Sequence, residues 1–211
     1  MQKPITERQK ALLRVIFDFL RDSGYPPTYE EMRQNLGVAS NQSVVDLLEK
    51  LRKGGYIKKE SGARSLAVTR LGYQILGKPA LAPILGTTTA GLPAEAIEIR
   101  GEWRQVSDHV AVLSGELFML KISGDSMINA GIDDGDMVLV QSKSEFMSGE
   151  IVYAEMDSGG TVKRFMSINK PPYVYLKPEN PKYENILFSD DVLLKGKVVS
   201  VLKGNSWEGV K

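Results

Sequence analysis

The sequence predicts two domains of different class, a helical first third closed by a small β wing and a mostly-β remainder. Two observations predict this division. Apolar residues recur at three- and four-residue spacing as far as Leu51, whereas beyond Pro83 they fall into short runs punctuated by Gly, Pro, Asn and Asp. Charge divides at the same place: residues 1–72 hold thirteen Lys/Arg against eight Asp/Glu, and the rest fourteen against eighteen. A basic segment on an acidic remainder points to a nucleic-acid partner for the first domain. The expected boundaries are residues 1–70, a linker over 71–82, and residues 83–211.

The spacing predicts an amphipathic helix over 6–22, with Leu12, Val15, Ile16, Phe19 and Leu20 on one face. Gly24 ends it, and Pro26-Pro27 blocks immediate re-entry. Thr28 with Glu31 three residues later is a capping box for a short helix over Tyr29–Leu36. Gly37 turns the chain, and Ser40 caps a third helix whose Val44, Leu47, Leu48 and Leu51 share a face. Tyr56–Lys59 and Ser65–Val68 then read as two strands around a polar tip. This order spells a winged helix-turn-helix, α with a small β wing. Leu71–Ala82 holds Gly72, Gly77 and Pro79 without sustained periodicity, hence the linker.

In a helix-turn-helix the second helix of the pair enters the major groove by its N-terminal residues. Here these are Ser40, Asn41, Gln42 and Ser43, short polar side chains able to address base edges. Arg33, Lys53 and Arg64, with Lys50, Arg52, Lys58 and Lys59, are the candidate phosphate contacts. Three-helix units of this size also serve as protein–protein modules, and Ser40 also reads as a plain N-cap.

Composition excludes several chemistries. With no cysteine there is no disulfide, thiolate metal site or cysteine nucleophile. His109 is the one histidine, without metal-ligand spacing around it, and reads as a packing or surface residue. Asp133-Asp134-Gly135-Asp136 lacks the spacing and terminal Glu of a calcium loop and reads as a turn. No metal and no cofactor are expected. No apolar run approaches the roughly 18–20 residues of a membrane span, and residues 1–20 are charged throughout, so a cytoplasmic chain is expected.

Strands are expected at Leu117–Ile122, Met137–Val140, Ile151–Glu155, Val162–Met166, Tyr173–Leu176 and Val192–Leu202. Ser123-Gly124-Asp125-Ser126-Met127 follows the first of these, and a serine at such a turn lies where backbone N–H groups can face an oxyanion. Lys163 shares a strand face with Phe165, and a lysine in apolar surroundings loses its proton more easily. A serine–lysine pair needs no histidine. On residues alone, a serine in a turn is usually just a turn residue and a strand lysine usually reaches to water.

The whole chain resembles the LexA family of self-cleaving repressors of the bacterial SOS DNA-damage response. The resemblance rests on Ile5–Gln9, Gly24–Thr28, Leu36–Ser40, Thr89–Pro93, Ser123–Met127, Gly131–Asp136, Val162–Arg164, Leu176–Asn180 and Gly196–Val199, in the family's order. It implies a LexA/signal-peptidase-like second domain, with Ser126 as nucleophile and Lys163 as general base. It also implies a scissile bond at Ala90–Gly91. Its implied partners are double-stranded operator DNA, a second copy of the chain, and a RecA filament on single-stranded DNA. The reading helix departs from better-known members at Val44 and Val45, so no operator sequence carries over. Gly86-Thr87-Thr88-Thr89 is richer in hydroxyls than the family's usual aliphatic run. Alternatives are a phage-type or other stress-specific repressor, a signal-peptidase-like enzyme acting on other proteins, and a transcription factor whose second domain only dimerises.

Overall fold

The computed structural model describes residues 4–59, 66–88, 98–106 and 116–210. Arg64, Ala90, Gly91 and His109 lie outside the described residues. The chain forms two compact units, Met1–Leu81 with Arg100–Val112, and Ala82–Ile99 with Leu113–Lys211.

The first unit is built from α1 (Glu7–Ser23), α2 (Tyr29–Leu36) and α3 (Asn41–Lys53), followed by β1 (Ile57–Lys59) and β2 (Leu66–Val68). Thr6 and Thr28 each close a capping box, with Gln9 and Glu31 respectively, so local chemistry alone sets both helix starts. Leu12, Leu13, Ile16, Phe17 and Leu20 of α1 are buried, as are Met32, Leu36, Val44, Leu48 and Leu51 of the other two helices. The two strands pair antiparallel, with Ile57 opposite Val68 and Lys59 opposite Leu66.

The stretch expected as a linker contains a fourth helix, α4 (Arg70–Leu76), capped by Thr69. Tyr73 and Leu76 are buried, and the Tyr73 ring meets Phe17 edge-on at 6.1 Å. Gly72 is required by close approach, because a Cβ there would lie 2.4 Å from the Tyr56 carbonyl oxygen. Two turns of helix are too short to display a repeating apolar pattern, which is why the sequence reads as irregular there. Arg100–Val112 also joins this unit, where Trp103 donates its indole N–H to the Gly24 carbonyl at 3.0 Å.

The remaining strands are β3 (Leu81–Thr88), β4 (Glu98–Gln105), β5 (Leu117–Ile122), β6 (Met137–Ser142), β7 (Ile151–Met156), β8 (Gly159–Ser167), β9 (Val174–Lys177), β10 (Ile186–Leu187), β11 (Leu193–Lys203) and β12 (Ser206–Glu208). In the second unit they follow the order β10-β9-β8-β7-β11-β6-β5-β3, with β12 on β11. All six expected strands are present, with ends that match or differ by up to three residues. β7 is buried on both faces: Ile151 and Tyr153 join Phe118, Leu120, Val138 and Val198, while Val152 and Ala154 join Leu176 and Val192. Its continuous apolar run follows from that double burial. β3 runs parallel to β5, with Thr88 opposite Ile122.

Candidate active site and nucleic-acid surface

β5 ends at Ile122, and Gly124 then adopts a φ of +100°, a left-handed value that favours glycine. Gly124 N–H donates to Asp134 Oδ1 at 2.7 Å, which ties this bend to the Asp133–Asp136 turn. That acidic turn is itself closed by Lys203, which bonds Asp133 and lies 2.9 Å from Asp136. Asp125 and Ser126 follow, and Met127 then anchors the chain in the core.

Lys163 lies on β8, opposite Val152 of the doubly buried β7, and only 7 % of it is exposed. Its Nζ lies 2.8 Å from Ser126 Oγ, 2.8 Å from Thr161 Oγ1 and 3.0 Å from the Val162 carbonyl oxygen. None of these partners is a carboxylate, so burial goes uncompensated and lowers the lysine to about 8 from its usual 10.5. A neutral amine has two N–H groups and one lone pair. The Val162 carbonyl can only accept, and Thr161 Oγ1 takes the second N–H, which leaves the lone pair for the Ser126 hydroxyl proton. Such an arrangement can draw a proton from a serine without an imidazole. Sequence reasoning did not single out Thr161, although a residue two positions before Lys163 on a strand must share its face.

The candidate DNA-contacting residues are placed as follows. Ser40 is the N-cap of α3, its Oγ accepting from Ser43 N–H at 3.3 Å and lying 3.2 Å from Ser43 Oγ. Asn41 and Gln42 are exposed on the first turn, with Gln42 Nε2 donating to Asp46 Oδ1 at 2.9 Å. Val44, one of the two departures from the family pattern, is fully buried, whereas Val45 is exposed. Arg33 is gripped by Glu30 through two bonds of 2.6 and 2.9 Å, which holds the Glu30 carboxyl down to about 2. Lys53 ends α3, exposed, 3.6 Å from Glu49. Lys59, another candidate phosphate contact, donates from Nζ to Tyr29 OH at 2.5 Å and lies 5.1 Å from that ring's centroid. Among the described residues, no helix is long and apolar enough to cross a membrane.

Two family models match the chain. Residues 2–65 match the LexA DNA binding domain, and residues 83–199 match the Peptidase S24-like family. The chain is 38 % identical over 200 residues to the LexA repressor of Lacticaseibacillus casei, covering 93 % of this chain and 95 % of the relative. It is 38 % identical over 208 residues to the LexA repressor of Lactobacillus gasseri, covering 97 % and 99 %. Against the LexA repressor of Lactiplantibacillus plantarum the identity is 35 % over 208 residues, covering 96 % and 98 %.

Proposed function

Because the chain belongs to the LexA repressor family, we propose that it represses SOS DNA-damage-response genes as a dimer and is inactivated by RecA-stimulated cleavage of its own Ala90–Gly91 bond. The observation that carries the chemistry is the 2.8 Å approach of a buried lysine amine to Ser126 Oγ. Lys163 takes the hydroxyl proton as Ser126 Oγ attacks the Ala90 carbonyl carbon. The tetrahedral adduct collapses, the Ala90–Gly91 bond breaks, and the protonated Lys163 returns its proton to the Gly91 nitrogen. Water, deprotonated by the same amine, then releases the Ala90 ester from Ser126.

Strand register supports the choice of bond. Thr88 lies opposite Ile122 on a parallel neighbour, so β3 and β5 run toward the same end of the sheet. Ala90 follows Thr88 by two residues, and Ser126 follows Ile122 by four. Two residues reach at most about 7 Å, which keeps the Ala90 carbonyl within range of that end of the sheet.

For repression, the exposed Asn41 and Gln42 would read base edges, with Ser40 and Ser43 setting the first turn of α3. Arg33, Lys53 and Arg64 would hold phosphates. A dimer formed through the second domain presents two reading helices to a two-fold operator, and cutting between the domains removes the gain from joint binding. The RecA filament favours the cleavable conformation, while the repressor supplies the chemistry.

Mass spectrometry of the full chain after alkaline incubation, with and without a RecA filament on single-stranded DNA, tests this reading. The expected products are two fragments meeting at Ala90–Gly91, formed faster with the filament and absent from Ser126→Ala. A different cut, or a Ser126→Ala chain that still splits, overturns it.

A further inference from the structure

Ser126 and Lys163 come from strands that are not neighbours. β5 and β8 are separated by β6, β11 and β7, four inter-strand steps that span about 19 Å along a sheet with spacing of about 4.8 Å. The two reacting atoms are nevertheless 2.8 Å apart. Ladder pairing between β5 and β8 cannot hold that distance; the core that packs Met127 with Val162 brings the Ser126 turn and the Lys163 strand together, and polar contacts between them set the finer placement.

The segment after β9 supplies these polar contacts. At its base, Lys177 pairs with Arg164 in the β8–β9 ladder, and Arg164 Nε donates to Glu179 Oε1 at 2.6 Å. Arg164 also donates to the Gly149 carbonyl at 2.7 Å, fixing the guanidinium on both sides. At its far end, Asn180 Nδ2 donates to the Asp125 carbonyl oxygen at 3.0 Å, and Tyr183 OH donates to Asp125 Oδ1 at 2.5 Å. Asn129 N–H donates to the Glu179 carbonyl at 2.9 Å. Asn180 is only 6 % exposed, and its Oδ1 accepts from Lys182 N–H at 3.1 Å, so both ends of the amide are bonded. A buried amide bonded at both ends has one orientation available.

We propose that Asn180 is a positioning residue for self-cleavage: through the Asp125 carbonyl it clasps the Ser126 turn to the strand carrying Lys163. This rests on the serine–lysine reading of the site. Asn180 touches neither reacting atom; it sets where the serine oxygen sits relative to the amine. Misplacing reacting groups by about 1 Å costs on the order of 100-fold in rate.

The test compares full-length wild type with Asn180→Ala, Tyr183→Phe and Ser126→Ala. Self-cleavage is followed against pH, and Ser126 is titrated with a fluorophosphonate probe well below each variant's melting temperature. Asn180→Ala is expected to lower the alkaline plateau about 10- to 100-fold. The pH midpoint should stay near the wild-type value, because Val152, Thr161 and Val162 beside Lys163 are not bonded to the clasp. Probe labelling should slow in parallel. Tyr183→Phe should lower the plateau a few-fold in the same direction.

A folded Asn180→Ala that cleaves at the wild-type plateau overturns the proposal. So does a loss explained wholly by a shifted midpoint, since that would be a change in the amine rather than in position. If Asn180→Ala does not fold, Tyr183→Phe decides: an unchanged plateau overturns the clasp. The Ser126→Ala arm separates the two readings. If that variant still cleaves, the serine–lysine reading fails; if it is inert while Asn180→Ala is normal, only the clasp fails.

Discussion

The arginines on the helices of the first unit and the active-site lysine of the second meet opposite surroundings. In the first, Arg33 and Arg52 stand at the surface with Glu30 and Glu49 beside them, and each carboxylate raises its guanidinium while being drawn down to about 2 itself. In the second, Lys163 is enclosed by β7 and β8 with hydroxyls and a carbonyl around it, and burial lowers it to about 8. The difference lies in solvent and partner. A cation left in water stays charged and is available to a polyanion, whereas one stripped of water without a carboxylate is on the way to becoming a base.

The sharpest way to break this contrast is to remove the buried amine. Lys163→Ala is expected to slow self-cleavage by at least about 1,000-fold at any pH, while operator binding on a gel shift stays at the wild-type value. Residual cutting that still climbs with pH would mean another group serves as base.

The same amine makes folding depend on pH in a stated direction. Its folded pKa of about 8 lies below the ordinary 10.5, so the unfolded chain binds more protons between those values. The contribution of Lys163 to stability therefore rises as pH climbs from about 8 to 10.5, by up to about 3 kcal/mol. Lys163→Met should remove that rise and be the more stable protein at pH 7, by denaturant unfolding. A wild-type stability that falls across this window, matched by Lys163→Met, would place the amine in water.

Cleavage rate sharpens the comparison from the kinetic side. Well below pH 8 the neutral fraction grows tenfold per pH unit, so the rate should rise about 50-fold from pH 6 to pH 8 and about twofold more before it levels off. A flat profile would dissociate the rate from the amine's proton.

On the DNA-binding unit the effects are smaller. Gln42→Ala should weaken operator binding about tenfold and relax preference at one base position. Lys53→Gln should weaken binding to all sequences alike and reduce the slope of log affinity against log salt by about 0.9. Competition binding at two salt concentrations separates the two, and exchanged behaviours would reverse the roles assigned to them.

Much of the first unit was legible because its signals are local. Thr28 and Ser40 cap helices through residues three positions away, and apolar spacing places Leu12, Ile16 and Leu20 on a buried face. The strands of the second unit were legible for the same reason, since alternation and turn residues sit within a few positions of one another. α4 was not, because its evidence is Tyr73 meeting Phe17, fifty-six positions earlier in the chain. Arg33 was legible as a cation but not as one engaged by Glu30, for helix spacing allows that pair without requiring it.

The sequence by itself determined the first three helices, the wing, six of the later strands, the polar opening of α3 and the chemical types a serine–lysine site requires. Only the tertiary structure decided that Lys163 is buried beside Ser126, thirty-seven residues away, and that Asn180 reaches back fifty-five residues to Asp125. The physical reason is range. Backbone preference and capping act over a turn or a pleat, whereas proton affinity and the distance between reacting atoms depend on which distant strands exclude water from one another.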